Sequence, residues 1–346
     1  MHKLYIVDSE QYLSEEGLVH GSKLLKQGNL LLLVRGSMLW KRIPVCYNKV
    51  DVAFNQDVKG IIPNNITDSS FLLYWFLSQE NHIKYMVTGT GIGAGKLDME
   101  DLLSMKILIP PQDEQRKVVS LLQLMDKRIA AQNKIIEKYE SLIQAIIYRK
   151  KEDGMHNGNW QKTVLSKVLK EKHEKNTDGH VVCSVSVSQG VVNQIEYLGR
   201  SFAAKETSHY NVVNYGDIVY TKSPTGDFPY GIVKRSYIQD AVAVSPLYGV
   251  YKPVSDNIGV ILHFYFMQPN NAFNYLHPLI QKGAKNTINI TNTRFLENSM
   301  PLPKTKHEAI YIANALTRIQ RKIEIEKSLL RLYEKEKQHL LGQMFI

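Results

Sequence analysis

The sequence of 346 residues predicts an α+β fold with a pseudo-twofold repeat, in which an antiparallel coiled coil of two long helices separates two mixed α/β domains. Three observations carry this prediction. The chain repeats itself at a separation near 190 positions, two long helical patterns follow proline breaks, and each helix carries a narrow apolar stripe. The repeat is the most informative of the three, because it determines the arrangement of the whole fold.

The two long helices are copies of one another. They span 114–151 and 307–344, and each begins after prolines that end an extended run. We therefore predict a first domain over 1–110, a helix over 111–151, a second domain over 152–303 and a helix over 304–346. Five positions of the first helix recur 194 places later: Glu114, Leu122, Ile129, Tyr139 and Glu140 match Glu308, Leu316, Ile323, Tyr333 and Glu334.

The globular parts repeat as well. The aromatic run 72–76 matches 262–266, and Gly28 opens a predicted strand as Gly216 does. Short β-branched and aromatic runs between turn residues, such as 181–187 and 217–221, indicate a mixture of strands and helices. Only 27 positions precede Gly28, whereas 56 run from Trp160 to the residue before Gly216. We expect the first domain to be truncated at its front by about 29 residues relative to the second.

Both helices carry a coiled-coil seam. Apolar residues follow a 4-3 spacing, which places them on one narrow face of each helix. The polar residues Gln132 and Glu326 interrupt the two faces at equivalent positions, where they would fix the register of the pair. The seam comprises Leu122, Met125, Ile129, Gln132, Ile136, Tyr139 and Ile143 in the first helix, and Leu316, Ile319, Ile323, Glu326, Leu330, Tyr333 and Leu340 in the second.

The connection between the domains sets the direction of this pairing. The short segment 152–159 leaves the second domain at the far end of the first helix, and the second helix has to return from there. About 30 helical residues extend about 45 Å, so antiparallel pairing would hold the two domains at opposite ends of a spacer. The alternative is that each helix packs only on its own domain.

The charge balance favours a polyanionic partner. Lys and Arg total 43 against 33 for Asp and Glu, which gives a net charge of +10. Nucleic acid is the leading partner for such a chain, although a basic excess also serves solubility. Cys46 and Cys183 stand far apart without ligand spacing, so we expect no zinc site and no disulfide framework. The most apolar stretch, 30–34, is too short to span a bilayer, and we expect a cytoplasmic protein without a membrane partner.

The motifs of catalysis are missing from the sequence. The glycine-rich run 89–96 lacks the first glycine of a phosphate loop and has Leu97 where Ser or Thr should follow Lys96. The run 224–230 only superficially resembles an amino-methyltransferase motif, and neither His173-Glu174 nor His307-Glu308 has the second histidine of a metalloprotease helix. We therefore predict a non-catalytic protein with no cofactor and no metal of its own.

Two segments of the sequence resemble a known family. The stretch 107–115, Ile-Leu-Ile-Pro-Pro-Gln-Asp-Glu-Gln, and the segment from Phe54 to Pro63 are similar to the junction regions of type I restriction-modification specificity (S) subunits. The resemblance implies that the globular parts are target recognition domains, each of which reads half of a bipartite sequence in double-stranded DNA. It also implies that the helices dock methyltransferase (M) subunits, two in number, and that restriction (R) subunits join them.

The same resemblance implies where the chemistry would be found. S-adenosylmethionine, ATP and Mg²⁺ would act only on the partner subunits. An alternative from another class is a defective scaffold that recruits protein partners through its helices without binding DNA.

Candidate DNA contacts follow from residue type and from placement in predicted loops. Lys and Arg neutralise phosphates, whereas Arg, Lys, Asn, Gln and Ser read base edges. Arg35 and Lys222 stand at equivalent places after the glycine-opened strands. For each single candidate, we expect a solvated surface position about as often as a contact with DNA. The candidates are Arg35, Ser37, Lys41, Arg42 and Lys96 in the first domain, and Lys222, Ser223, Lys234, Arg235, Lys285, Asn286, Asn289 and Asn292 in the second.

Overall fold

The computed structural model describes residues 3–9, 11–91, 93–199, 206–282 and 288–345. These divide into two compact units, one formed by residues 1–134 with 327–346 and the other by residues 135–326. The helices are α1 Glu15–Gly21, α2 Ser69–Ser78, α3 Glu80–Tyr85, α4 Met99–Ser104, α5 Gln112–His156, α6 Gln194–Leu198, α7 Asp256–Phe266, α8 Pro269–Leu276, α9 Asn292–Phe295 and α10 Lys306–Met344.

The strands of the first unit form three sheets. They are β1 Tyr5–Ile6, β2 Lys23–Leu25, β3 Leu30–Leu33, β4 Arg35–Gly36, β5 Val45–Asn48, β6 Val52–Phe54, β7 Val58–Ile61, β8 Val87–Gly89 and β9 Gly95–Leu97. The main sheet has the order β1-β5-β3-β7, with β2-β6 as a separate antiparallel pair and β4-β9-β8 as a small sheet. The main sheet buries Leu30 and Leu32 against α2, whose N-terminus is capped by Asp68.

The strands of the second unit repeat this arrangement and add to it. They are β10 Trp160–Val164, β11 Leu169–Glu171, β12 Cys183–Ser186, β13 Gly190–Asn193, β14 Asn211–Val213, β15 Ile218–Tyr220, β16 Val233–Arg235, β17 Val242–Val244, β18 Gly249–Pro253, β19 Gln281–Lys282, β20 Ile288–Asn289 and β21 Ser299–Pro303. The main sheet has the order β11-β18-β15-β16. Phe295 stacks on Tyr220 and Tyr251 in the core beneath it.

The predicted internal repeat is confirmed in strand register. β2 pairs with β6 antiparallel, with Leu25 opposite Val52, and β14 pairs with β17 in the same way, with Val213 opposite Val242. The strand triple β5-β3-β7 likewise matches β16-β15-β18. The α+β fold with two mixed domains and two long helices is therefore confirmed.

The antiparallel direction of the long helices is also confirmed. In the first unit Lys337 binds Asp126, and the guanidinium of Arg128 lies 4.9 Å from the ring centre of Tyr333. In the second unit Lys322 lies over the Tyr139 ring and Lys150 lies over the Tyr311 ring. In each unit, the residue further along α5 contacts the residue nearer the start of α10, which is the pattern of antiparallel helices.

The predicted seam is the least exposed face of both helices. All seam residues of both helices are buried or half-buried, whereas exposed residues lie between them. Gln132 is among the buried members, with 5% of its surface exposed. No helix among the described ranges combines the length and the apolar character needed to cross a membrane.

The first long helix extends beyond its predicted end. We predicted a linker from residue 152, but α5 continues to His156. Gly154, which would ordinarily weaken a helix, allows close packing here: a Cβ on it would lie 2.0 Å from Cδ1 of Trp160. The helix therefore continues until the first strand of the second domain can pack against it.

Candidate nucleic-acid interface

The small sheet of the first unit displays two predicted DNA contacts side by side. Arg35 on β4 lies directly opposite Lys96 on β9, and Thr88 on β8 lies opposite Lys96 on its other side. All three side chains are exposed. Gly95 and Leu97 on either side of Lys96 are buried, so the alternation of the strand turns the lysine outward. The sheet thus presents a row of one hydroxyl and two cationic side chains.

Gly95 sets the geometry of this row. A Cβ at Gly95 would lie 2.9 Å from Cγ1 of Val87 and 3.0 Å from Cβ of Leu39. Only glycine lets β9 approach the 3₁₀ helix Ser37–Trp40 so closely. The exposed Ser37 begins this short helix, the exposed Lys41 follows it, and Arg42 is half-buried. These predicted contacts border the small sheet along the chain.

The electrostatics of the row favour an anionic ligand. Like charges at directly opposed strand positions destabilise a sheet, and Arg35 and Lys96 occupy such positions. Asp57 reduces this repulsion only weakly, because its Oδ1 lies 3.9 Å from the Arg35 guanidinium and the Arg35 side chain is 53% exposed. A phosphate group in front of the two cations would relieve the repulsion.

The glycine-rich hairpin between β8 and β9 is tied to an exposed tryptophan. Nε1 of Trp40 donates a hydrogen bond to the Gly93 carbonyl at 3.1 Å, and 48% of the Trp40 surface is exposed. Lys96 lies within strand β9, whereas the lysine of a phosphate loop stands at the start of a helix. This loop therefore does not have the strand–loop–helix geometry of a phosphate loop. Sequence reasoning missed Trp40 and Thr88, since no sequence signal shows which residues the hairpin brings to its surface.

The predicted equivalence of Arg35 and Lys222 is off by one position, because at the separation of Gly28 and Gly216, 188 positions, the counterpart of Arg35 is Ser223. Lys222 follows β15, is half-buried, and burial lowers its pKa while the nearby carboxylate of Glu171 opposes this shift. Ser223 beside it is exposed. Gly231, with φ of 94°, ends this loop where a Cβ would lie 1.8 Å from the Thr221 carbonyl oxygen. Gly231 therefore closes the loop that contains Lys222 and Ser223 tightly against Thr221.

The prediction that Lys234 and Arg235 lie in an exposed loop is wrong. Both belong to β16 and are only 3% and 1% exposed. The Arg235 guanidinium binds Asp256 and lies 4.5 Å from the ring centres of both Tyr215 and Tyr237. Burial lowers the pKa of Lys234 to about 8. Strand β16 packs between β15 and α7, so these side chains belong to the interior of the unit.

The remaining predicted contacts lie near β19 and β20. Lys285 and Asn286 fall outside the described residues. Asn289 pairs through its backbone with Gln281. Asn292 begins α9 and is half-buried, and its backbone carbonyl accepts a hydrogen bond from the Tyr251 hydroxyl at 2.9 Å. Its side-chain oxygen is buried without a hydrogen-bond donor among the described residues.

Neither metal chemistry nor thiol chemistry has a candidate group in the described ranges. They contain no cluster of three or more His, Cys, Asp or Glu side chains that could hold a metal ion. Cys46 and Cys183 are free and buried, and burial raises the pKa of both thiols to about 11. A thiol with so high a pKa is a poor nucleophile at neutral pH.

Acid should destabilise the second unit through His263. Its ring is buried, and its Nδ1 accepts a hydrogen bond from the Arg235 backbone N–H at 3.1 Å. Burial lowers its pKa from 6.5 to about 3, helped by the charges of Lys234 and Arg235. Because the unfolded chain binds this proton first, the free energy of unfolding falls as the pH drops from 6.5 towards 3, by up to about 1.4 kcal/mol per pH unit.

Urea unfolding of the second unit across this pH range checks the prediction. The variant His263→Gln keeps a hydrogen-bond acceptor but does not titrate, so its stability should fall less steeply with acid than that of the wild type. Equal slopes in the two proteins would contradict the assignment.

Comparisons with known proteins agree with this geometry. A family model described as the type I restriction modification DNA specificity domain matches residues 8–141. A type I restriction enzyme specificity subunit from Escherichia coli is 31% identical over 127 residues, which cover 36% of this chain and 31% of the relative. The match thus spans about a third of that relative's length.

Two solved structures share the fold over most of the chain. The S subunit of a type I restriction-modification system from M. genitalium has a TM-score of 0.58 at 13% identity, covering 94% of this chain and 84% of that one. A chain from a structure of complex assembly and conformational transition in the type I R-M system has a TM-score of 0.51 at 12% identity, covering 94% and 83%. At such identities the likeness concerns the fold.

Proposed function

We propose that this chain, which matches the type I restriction modification DNA specificity domain over residues 8–141 and shares the fold of S subunits, reads a bipartite sequence in double-stranded DNA. It does so without catalysing a reaction. The observation that carries this proposal is the row of Arg35, Lys96 and Thr88, in which two cations face each other without a close carboxylate between them.

The two kinds of contact have different tasks in this proposal. Arg35 and Lys96 in the first unit, and Lys222 in the second, bind phosphates and fix the register on the duplex. Ser37, Thr88 and Ser223 carry hydroxyl groups that read base edges or phosphates. Trp40 is exposed beside the row and supplies an apolar surface for a deoxyribose or a thymine methyl group.

The long helices serve as the docking site for two methyltransferase subunits, which restriction subunits then join. S-adenosylmethionine, ATP and Mg²⁺ act on those partners. The support for docking is the set of exposed apolar side chains that the helices carry outside the seam: Leu124 is 61% exposed on α5, and Tyr311, Ile325 and Leu332 are 61%, 65% and 61% exposed on α10. A methyltransferase subunit that packs on these helices would cover such side chains.

Loss of either cation of the row should weaken DNA binding. We expect Arg35→Ala and Lys96→Ala each to lower the affinity for a random-sequence duplex, because each removes one phosphate contact. The dependence of the logarithm of affinity on the logarithm of salt should become less steep by about 0.9 per contact. Gel shifts over a series of salt concentrations, with the full chain assembled with methyltransferase subunits, measure both effects.

The matched control is Lys26→Ala. Lys26 is an exposed lysine of the same domain that pairs with Asp51 away from the small sheet. Its loss should leave the salt dependence unchanged. If all three variants behave alike, the small sheet is not the contact surface. If the assembled wild type does not bind DNA at all, the chain is instead a scaffold that only recruits protein partners.

A further inference from the structure

The loop between β15 and β16 of the second unit is a short two-stranded ribbon. At its base the Thr221 N–H donates to the Ile232 carbonyl at 2.9 Å, and the Thr221 hydroxyl accepts from the Ile232 N–H at 3.2 Å. Further out, the backbones of Thr225 and Phe228 exchange two hydrogen bonds, of 3.1 Å and 2.9 Å. The ribbon therefore ends in a turn of two residues.

Several contacts join this ribbon to the body of the unit. The Phe228 side chain is only 5% exposed. The Tyr220 hydroxyl on β15 donates to the Tyr230 carbonyl at 2.8 Å, and the Tyr230 ring centre lies 5.4 Å from that of Phe273 on α8. A buried ring, a hydrogen bond and a ring contact thus support the strand that leads back from the turn.

The turn displays one carboxylate. Asp227 is exposed, and it is the only acidic residue within 221–232. Its carboxylate forms no hydrogen bond and no ion pair with a residue in the described ranges. Lys222, the cation of the same ribbon, has the carboxylate of Glu171 as its neighbour instead. The Asp227 carboxylate is therefore available to a ligand.

The corresponding loop of the first unit has a different charge pattern. Residues 34–44, between β3 and β5, contain Arg35, Lys41 and Arg42 and no acidic residue. A carboxylate is unfavourable on a surface that binds phosphates through charge alone, because it repels them. The exposed position of Asp227 in this loop therefore favours a contact with a base edge over a contact with a phosphate.

Both the shape and the chemistry of the turn fit the major groove. The major groove of B-DNA is wide enough for a two-stranded ribbon. Cytosine presents an amino donor there, whereas guanine and thymine present carbonyl acceptors, and adenine presents a donor next to the N7 acceptor. An ionised carboxylate only accepts hydrogen bonds, so it matches cytosine and is repelled by the acceptors of the other bases.

We propose that Asp227 determines one base of the target by accepting a hydrogen bond from the N4 amino group of a cytosine. This inference rests on the proposed DNA binding and deepens it by naming a residue and the base that it reads. Lys222 and Ser223, near the base of the ribbon, hold the duplex, and the tip carries the carboxylate to the base edge. Asp227 thereby weakens binding to other sequences and strengthens binding to the target.

Methylome sequencing of cells that express Asp227→Asn with methyltransferase subunits tests the inference. We expect a single position to change, a cytosine in the half that the second domain reads. That position should accept other bases, adenine first, because an asparagine amide pairs with adenine N6 and N7. The other half should stay the same. The matched control is Asp240→Asn, since Asp240 is exposed beyond the other end of β16, and its methylated sequence should be that of the wild type.

Duplex binding by the assembled chain separates base readout from charge. Asp227→Asn should lower the affinity for the wild-type target at least about tenfold. Replacing the C·G pair by T·A should cost the wild type as much, but should cost the variant less than about threefold, because the two changes remove the same contact. On a random-sequence duplex the variant should bind at least as tightly as the wild type, since it has lost a repulsive charge.

Four results would overturn the inference. They are an unchanged methylated sequence in Asp227→Asn, loss of all methylation in this variant, absence of a C·G pair from the half that the second domain reads, and an equal loss of affinity for target and random duplexes. If the assembled wild type neither binds a duplex nor directs methylation, the proposed function itself is wrong, and the inference fails with it.

Discussion

Replacing Asp126 with alanine is expected to destabilise the first unit by about 2–4 kcal/mol. The two oxygens of this carboxylate have separate partners. Oδ1 accepts from the Lys337 ammonium, and Oδ2 accepts from the Tyr74 hydroxyl at 2.6 Å. The Tyr74 hydroxyl lies in turn 3.3 Å from the Tyr5 hydroxyl. Alanine would leave a largely buried ammonium and a buried hydroxyl without their acceptor, which costs more than the loss of a surface ion pair.

Urea unfolding of the variants measures this effect. The control is Asp113→Ala, because Asp113 is 78% exposed and pairs with the exposed Arg116. It should cost less than about 1 kcal/mol. Adding Lys337→Leu to Asp126→Ala should restore part of the stability, since it removes the unpaired charge. A loss no larger than that of the control would show that the network is not important for folding.

The Asp126 network also explains how the helices find one register. Tyr74, Asp126 and Lys337 correspond in the repeat to Phe264, Gln320 and Ile143, so the network occurs in the first unit alone. A single polar interaction in an apolar seam penalises every other alignment of the helices. The first unit thus has a contact that distinguishes the correct pairing from a pairing shifted along the helices.

Replacing Arg235 with alanine should destabilise the second unit by about 3–5 kcal/mol. The guanidinium is almost completely buried between two tyrosine rings and is bound to Asp256. Alanine removes the ion pair and both cation–π contacts, and it leaves a cavity in the interior. Thermal unfolding of the full chain, followed by a probe in the second unit, measures the loss.

Lys234→Met is the matched control for Arg235→Ala. Lys234 is the neighbouring buried cation, and burial already disfavours its charged form. An apolar side chain of similar length should therefore change stability by less than about 1.5 kcal/mol. If Arg235→Ala left stability intact but reduced the salt dependence of DNA binding, Arg235 would be a phosphate contact and its structural role would be refuted.

The repeat and the helix pair could be predicted because they depend on local patterns. A 4-3 spacing places Leu122 and Met125 on one face regardless of the rest of the fold, and both are buried. The short connection over 152–159 made the antiparallel arrangement the simplest one. The end of α5 was missed because Gly154 normally disfavours a helix, whereas the close approach of Trp160 requires it.

The candidate interface was predictable only in part, since it depends on pairing between distant strands. The type of residue identified Arg35 and Lys96 separately, but their adjacency arises from the pairing of β4 with β9. For Lys234 and Arg235 the residue type was misleading, because charged side chains are rarely buried without a partner. The partner of Arg235 is Asp256 on α7, and no local sequence pattern predicts this contact.

Methylome sequencing of cells that express this chain with methyltransferase subunits tests whether the chain reads a bipartite DNA sequence. We predict one methylated sequence in two parts, present only when the chain is expressed. A hybrid in which residues 160–302 come from another member of the family should change one part and leave the other intact. Methylation that does not depend on the chain, or a hybrid that alters both parts together, would show that the two domains do not read separate halves of a target.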